Sequence, residues 1–350
     1  MKLNKYRYML FFTSPIGLGH ATRDIAIAQN LDIKDISLEF VTGSKAYNFI
    51  ANCGYEVFNL YNPPKFNIEN GVLNNSFYWL IKYFLYYKKC KNAARTIIDS
   101  EDNDKILVSD EDFASIAVAE ERKRKKILIT DIINTTFTSG FLSLLEKQMN
   151  KKLCRMISRC DCVIIPDFGK DSENLRYVGP IVRNINDSKE NLRKKFNFNK
   201  KTILVCVGGT NHGKFLIEKT KESFEKIKKR LDVDLVIVAG PSLTIKPSDD
   251  CRLLGFVPNL NEYIYACDLV ISLAGRSTMD ESIVYNTPGI FIPLKNHFEQ
   301  EEGARRMGFE FNDIFRLNEL IEERLGFSKD NRKIVNNGAQ KAAEIILEFL

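Results

Sequence analysis

Residues 9–24 read Met-Leu-Phe-Phe-Thr-Ser-Pro-Ile-Gly-Leu-Gly-His-Ala-Thr-Arg-Asp, and residues 202–214 read Thr-Ile-Leu-Val-Cys-Val-Gly-Gly-Thr-Asn-His-Gly-Lys. Each is an apolar run that ends in a glycine-rich turn and passes into helix-like spacing, set in the first case by Ile25, Ala26, Ala28 and Leu31. A strand without polar alternation is covered on both faces, which points to a parallel sheet in an α/β fold. The glycines allow a sharp turn at the strand end, and the helix N-terminus beyond offers free NH groups to an anion. The same unit occurs twice in one chain, and that repetition predicts two tandem Rossmann-like, doubly wound sheets.

Working outward, strands are expected at 9–13, 38–42, 105–109, 127–130 and 162–166, with helical stretches between them. A Gly-Pro pair at 179–180 precedes a polar, Lys-rich stretch, which reads as an interdomain linker. The pattern then restarts with strands at 202–207, 235–239, 252–255, 269–272 and 289–293. A helical stripe ends the chain, carried by 334, 339, 342, 343, 345, 346, 349 and 350. The expected organisation is an N-terminal domain over 1–180, a linker over 181–200, a second domain over 201–330, and a helix over 331–350 that can cross back to the first domain. Open sheets bind ligands at the carboxyl ends of their strands, so the two domains are expected to face each other across a cleft.

The chain has 350 residues, enough for about two domains at roughly 150 residues each. Hydrophobic residues make up 44% and charged residues 27%, which excludes disorder, collagen and coiled coil. With 51 Lys+Arg against 45 Asp+Glu, the net charge of +6 is scattered and too small to announce nucleic-acid binding. Eight cysteines without a C-x-x-C pair read as reduced cytoplasmic thiols. The apolar run at 8–12 is too short for a signal peptide, and no stretch reaches the ~18 apolar residues of a membrane span.

His20 is one of three histidines and sits in the first glycine loop, a position suited to chemistry at a strand end. Read as G-x-G-x-x-G from Gly17, this loop has Thr22 where the third glycine belongs, so a dinucleotide fingerprint is weak. The second loop, from Gly208, suits a diphosphate but fits no Walker A spacing around Lys214. Further on, the chain carries Phe256-Val257-Pro258, then Ser272 followed by Ala274-Gly275-Arg276-Ser277-Thr278-Met279-Asp280-Glu281, and finally His297-Phe298-Glu299-Gln300.

This ordered set resembles the GT-B glycosyltransferases, and within them the MurG-like enzymes of glycosyltransferase family 28. The resemblance runs over roughly 9–310. It implies that Gly208, Gly209 and Thr210, with Asn211 after them, hold a nucleotide diphosphate, that the backbone at Val257 reads uracil, and that Glu281 binds the ribose hydroxyls. The spacing Ser272, Gly275, Thr278, Glu281 follows the family's second loop, with Arg276 and Ser277 inside it. Gln300, supported by Glu299, would contact the donor sugar. Gly17, Gly19 and His20 resemble the family's G-x-G-H loop near the acceptor, with His20 as base. Three departures stand out: Arg23 replaces a proline, Arg276 a small residue, and Asn211-His212 a Gln-Gly pair. They bear on the acceptor and leave nucleotide-sugar use standing.

The residue chemistry runs the same way. A departing diphosphate needs fixed positive potential, which helix-terminal NH groups and Arg276 supply, and a carboxylate accepts two hydroxyls at once. The expectation is an inverting glycosyltransferase, metal-independent and without a cofactor, that moves a sugar from a nucleotide sugar (a UDP-sugar, such as UDP-GlcNAc) to a glycan or lipid-linked hydroxyl. Asp131, at a strand end, is the alternative base. Asp110 and Asp112 resemble a D-x-D metal clamp, yet either equally caps the helix after them, and Asp110 with Arg23 reads as part of the acceptor-side loop. Residues 76–97 hold five basic residues and no acid. Their aromatics run nearly all round, as expected of a buried helix, while Lys82, Lys88, Lys89 and Lys91 form a rim for an anionic membrane at its cytoplasmic face. Two rivals are a UDP-GlcNAc 2-epimerase, which needs further carboxylates beside the sugar, and a non-catalytic nucleotide-sugar-binding subunit.

Overall fold

The computed structural model describes residues 7–31, 36–74, 76–101, 105–135, 143–208, 211–240, 250–326 and 335–350. The chain forms two compact units, one of Met1–Lys65, Phe77–Val182 and Asn337–Leu350, the other of Phe66–Ser76 and Arg183–Asn336.

The first unit opens with β1 (Arg7–Thr13), α1 (Gly19–Ala28), β2 (Ile36–Gly43), α2 (Ser44–Asn52) and β3 (Glu56–Tyr61). The chain then enters the second unit for a short hairpin, β4 (Asn67–Glu69) and β5 (Val72–Asn74), and resumes with α3 (Ser76–Ser100). There follow β6 (Ile106–Asp110), α4 (Phe113–Glu121), β7 (Lys126–Ile129), α5 (Ser143–Ser158), β8 (Cys162–Ile165) and β9 (Leu175–Tyr177). Seven strands pair in parallel in the order β3-β2-β1-β6-β7-β8-β9. Alternate residues of β1 feed opposite faces: Met9 and Phe11 join one core cluster, Leu10 and Phe12 the other. All four are at most 1% exposed, which is why the run carries no polar residue.

The second unit contains α6 (Lys189–Lys195), β10 (Lys201–Cys206), α7 (Lys214–Ile227), β11 (Val233–Val238), β12 (Arg252–Leu254) and α8 (Leu260–Ala266). It continues with β13 (Leu269–Leu273), α9 (Arg276–Val284), β14 (Gly289–Ile292), α10 (Phe298–Arg306) and α11 (Leu317–Gly326). Besides the antiparallel hairpin β4–β5, it holds a parallel sheet of five strands in the order β12-β11-β10-β13-β14. The last helix, α12 (Ala339–Leu347), buries Ala342, Ala343, Ile345 and Ile346 and packs on α1 in the first unit.

Three expectations change. Residues 183–200 are not a free linker. Ser188 caps α6 by accepting from the Asn191 NH, and Leu192, Phe196 and Phe198 sink into the core of the second unit, with Phe196 stacked 3.8 Å from Tyr263. The polar surface of α6 hid that apolar underside. Residues 66–76 leave the first domain altogether, although nothing in their composition marks a boundary. Finally, α3 is not buried all round. Trp79 stacks on Tyr83, and Cys90, Ala94 and Ile98 face the core, whereas Tyr78, Ile81, Phe84 and Leu85 are 60%, 47%, 57% and 56% exposed. The strands β3, β4, β5 and β9 also escaped prediction, because each is short or exposed and lacks a continuous apolar run.

Candidate active site

In the first unit, β1 ends beside β6, with Thr13 paired to Asp110. Gly17 turns the intervening loop at φ +79°, a conformation that strains other residues, and α1 starts at Gly19. His20 and Arg23 lie one helical turn apart on α1, so both side chains reach the end of β6. Arg23 donates from Nε to Asp110 Oδ2 at 2.7 Å and from Nη2 to Oδ1. Asp110 Oδ1 also lies 3.0 Å from His20 Nδ1.

Burial opposes a charge on Asp110, but Arg23 and His20 outweigh it and hold the carboxyl well below its ordinary range. Asp24, fully buried behind it and bonded to the Thr13 hydroxyl at 2.6 Å, is pushed well up, by burial first and then by the Asp110 charge. Burial and the surrounding charges thus favour the ionised form at Asp110 and the protonated form at Asp24. The Asp110 acceptor beside Nδ1 favours the imidazole proton there, against the Arg23 Nη2 donor 3.2 Å from the same nitrogen, and a proton on Nδ1 leaves Nε2 as the acceptor.

Glu111, absent from the sequence-based candidates, lies on the other side. Its backbone is left-handed at φ +51°, and its Oε2 stands 3.7 Å from His20 Nε2. Its Oε1 accepts from the Thr130 hydroxyl and the Asp131 NH at 3.2 and 3.3 Å. Burial pushes its pKa well above the usual value, with Asp131 adding to the effect. The positive φ at a non-glycine residue between two aspartates was the feature no composition rule could disclose.

The left-handed turn at Glu111 also parts the D-x-D pair. Asp112 caps α4, accepting from the Ala114 NH at 3.1 Å and the Tyr61 hydroxyl at 2.7 Å, while Asp110 serves Arg23 and His20. A clamp of those two carboxylates is not formed. Among the described residues, ligand atoms of His20, Asp110 and Glu111 come within 4.8 Å of one another and could hold a cation, but Arg23 already supplies positive charge beside Asp110.

In the second unit, β10 leads to Gly208 at φ +70°, a 3-10 turn over Asn211–Gly213, and α7. Gly213 is a steric necessity, because a Cβ there would fall 2.1 Å from Val207 Cβ. Gly209, Thr210 and the Asn211 side chain lie outside the described residues. Gly275 is the N-cap of α9. Ser277, Thr278 and Glu281 share one face of that helix by their spacing, and Arg276 pairs with Asp280 at 3.0 Å on another. Glu281 is 3% exposed, with Oε1 3.6 Å from Arg183 Nη2.

Arg183 is the second residue that sequence reasoning missed, having been read as the start of the linker. It donates to the Pro258 carbonyl at 2.7 Å, and its own carbonyl accepts from the Tyr285 hydroxyl at 2.6 Å. It thus ties the turn after Val257, itself packed on the core, to α9. Burial pushes Glu281 upward and Arg183 partly offsets this. After β14, Gln300 uses its carbonyl oxygen to accept from the Leu294 NH at 3.1 Å, which leaves its amide NH2 as the donor end. Glu299 is exposed in the first turn of α10. The structure thus groups His20, Arg23 and Asp110 with Glu111 and Asp131 in one unit, and Gly275, Ser277, Thr278 and Glu281 with Arg183 in the other.

The model for the glycosyltransferase family 28 C-terminal domain matches residues 202–325. An uncharacterised glycosyltransferase of Methanopyrus kandleri is 26% identical over 268 residues, covering 69% of this chain and 75% of its own length. The UDP-N-acetylglucosamine–N-acetylmuramyl-(pentapeptide) pyrophosphoryl-undecaprenol N-acetylglucosamine transferase of Clostridium perfringens is 25% identical over 299 residues, covering 82% of this chain and 78% of its own. Among solved structures, the calicheamicin glycosyltransferase CalG4 superposes with a TM-score of 0.64 at 13% identity, covering 99% of this chain and 98% of its own. The glycosyltransferase of kitacinnamycin gives 0.65 at 12%, covering 99% and 100%. At these identities the solved structures speak for the fold.

Proposed function

We propose that this chain, a family 28-like glycosyltransferase of GT-B fold, transfers a sugar from a UDP-sugar to a hydroxyl of a lipid-linked acceptor with inversion at the anomeric carbon. The observation that carries the reading is the buried, ionised Asp110 at 3.0 Å from Nδ1 of His20. His20 Nε2 takes the acceptor hydroxyl proton as that oxygen bonds to the anomeric carbon. The bond from that carbon to the diphosphate breaks, and UDP leaves with the electron pair. The developing negative charge is met by the loop from Gly208, the N-terminus of α7 and Arg276. Glu281 accepts from the ribose hydroxyls, and Gln300 donates to the sugar. No metal is needed for these steps, so transfer should persist in EDTA.

Support for a UDP donor is the name of the Clostridium perfringens relative, which carries UDP-N-acetylglucosamine and an undecaprenol-linked acceptor. Support for a lipid-linked acceptor also comes from α3. Its outward face combines Tyr78, Ile81, Phe84 and Leu85 with Lys82 and Lys88, whose ammonium groups lie 4.4 Å and 4.7 Å from the Tyr78 and Phe84 ring centres. Apolar side chains with a basic fringe suit the surface of an anionic membrane. Among the described residues no helix is long and apolar enough to cross one. A thermal-shift panel of nucleotide sugars tests the donor. UDP compounds should raise the melting temperature by mass action, and a response to another nucleotide alone would overturn the assignment.

A further inference from the structure

The hairpin β4–β5 lies between β3 and α3 in sequence but belongs to the second unit. Its attachment is specific. The Leu73 NH donates to the Lys295 carbonyl at 2.9 Å, and the Lys295 NH returns a bond to the Gly71 carbonyl at 2.8 Å. Gly71 sits at φ +76°, and a Cβ there would come within 3.1 Å of both Phe215 and Phe311. The hairpin is thus pinned to the segment after β14, two residues before His297. At its other end, the Phe66 ring centre stands 5.6 Å from that of His297 and 6.1 Å from that of His212. His212 belongs to the turn that follows the Gly208 loop, and His297 is the N-cap of α10, which carries Gln300.

We propose that Phe66 is a positioning residue for the donor: a ring supplied by the hairpin that fixes the diphosphate loop and the sugar-contacting loop relative to each other through His212 and His297. The inference rests on the reading of those loops as the donor site. It makes residues 66–76 part of the donor machinery, although they are encoded within the acceptor-side half. Aromatic contacts of this kind are directional, so a ring is required and apolar bulk does not suffice.

The test is donor KM, turnover and calorimetric UDP affinity for full-length wild type and three variants. Phe66→Ala should raise donor KM and the UDP dissociation constant about ten-fold with turnover within about two-fold, Phe66→Tyr should restore both, and Phe66→Leu should not. Gly71→Ala, which lifts the hairpin without touching either histidine, should shift KM the same way and add little to Phe66→Ala. If Phe66→Ala yields no folded protein, Phe66→Leu with wild-type KM overturns the proposal. Wild type that binds UDP while Phe66→Ala binds it equally well overturns the inference alone. Wild type that binds no UDP overturns the donor reading and the inference with it.

Discussion

Asp110 accepts two hydrogen bonds from Arg23 and stands 3.0 Å from Nδ1 of His20, so one fully buried carboxylate both anchors a guanidinium and orients an imidazole. The neighbouring carboxyls, Asp24 and Glu111, are driven toward their protonated forms, and the negative charge is concentrated at Asp110. In the proposed reaction this arrangement holds the imidazole by Nδ1 and leaves Nε2 to act as the base.

Replacing His20 with Ala should lower turnover by roughly 10² to 10⁴ while UDP affinity stays near wild type, since the nucleotide is assigned to the other unit. Steady-state kinetics beside calorimetry reads both. Wild-type turnover in folded His20→Ala protein would move the base to Asp131 or Asp110.

Asp110→Asn should lose turnover on a similar scale and also stability, by about 3 to 5 kcal/mol, because Arg23 is left buried without its carboxylate. The folded Asp110 value is depressed, so its contribution is present above the ordinary carboxyl range and is lost only as pH falls through that depressed value. Because the Asp110 charge also raises Asp24 and Glu111, the variant should lose less stability than wild type as pH rises from about 5 to about 8, so the gap narrows across that window. Thermal melts of both proteins across that window check it.

Glu111→Gln should behave in the opposite manner. Glu111 binds its proton more tightly folded than unfolded, so its contribution is full at low pH and declines as pH rises through the raised folded value. Gln keeps the acceptor for Thr130 and Asp131 without that decline. The variant should gain on wild type as pH increases from about 5 to about 8, and parallel melting curves would contradict the assignment of a retained proton.

Glu281→Ala should weaken UDP binding by about 1.5 to 3 kcal/mol, the loss of a charge-assisted hydrogen bond. In wild type, affinity should fall on acidification at a pH above the ordinary carboxylate range, because burial raises Glu281; Glu281→Gln should lack this limb. Calorimetry at several pH values distinguishes the two, and unchanged affinity in Glu281→Ala would remove it from the site.

On α3, Phe84→Ser combined with Leu85→Ser should reduce sedimentation with anionic vesicles several-fold while leaving the melting temperature within a few degrees, since both side chains are more than half exposed. Equal sedimentation would assign membrane contact elsewhere.

The sequence by itself determined the two doubly wound sheets, because strands covered on both faces are mostly apolar, and runs such as Met9–Phe12 and Ile203–Val207 each end in a glycine turn that feeds a helix. It also determined the two glycine turns, since Gly17 and Gly208 take backbone angles that side chains disfavour. What only the tertiary structure decided depends on residues distant in the chain. Arg23 and Asp110 are 87 positions apart, and the register of β1 against β6 makes them an ion pair. Glu111 reaches His20 because of its left-handed backbone, and Arg183 reaches Glu281 because 183–200 fold into the second unit. The hairpin at 66–76 was the least legible element. Two three-residue strands carry too little periodicity to reveal which core they join, and their destination is set by Lys295, Phe215 and Phe311, far along the chain.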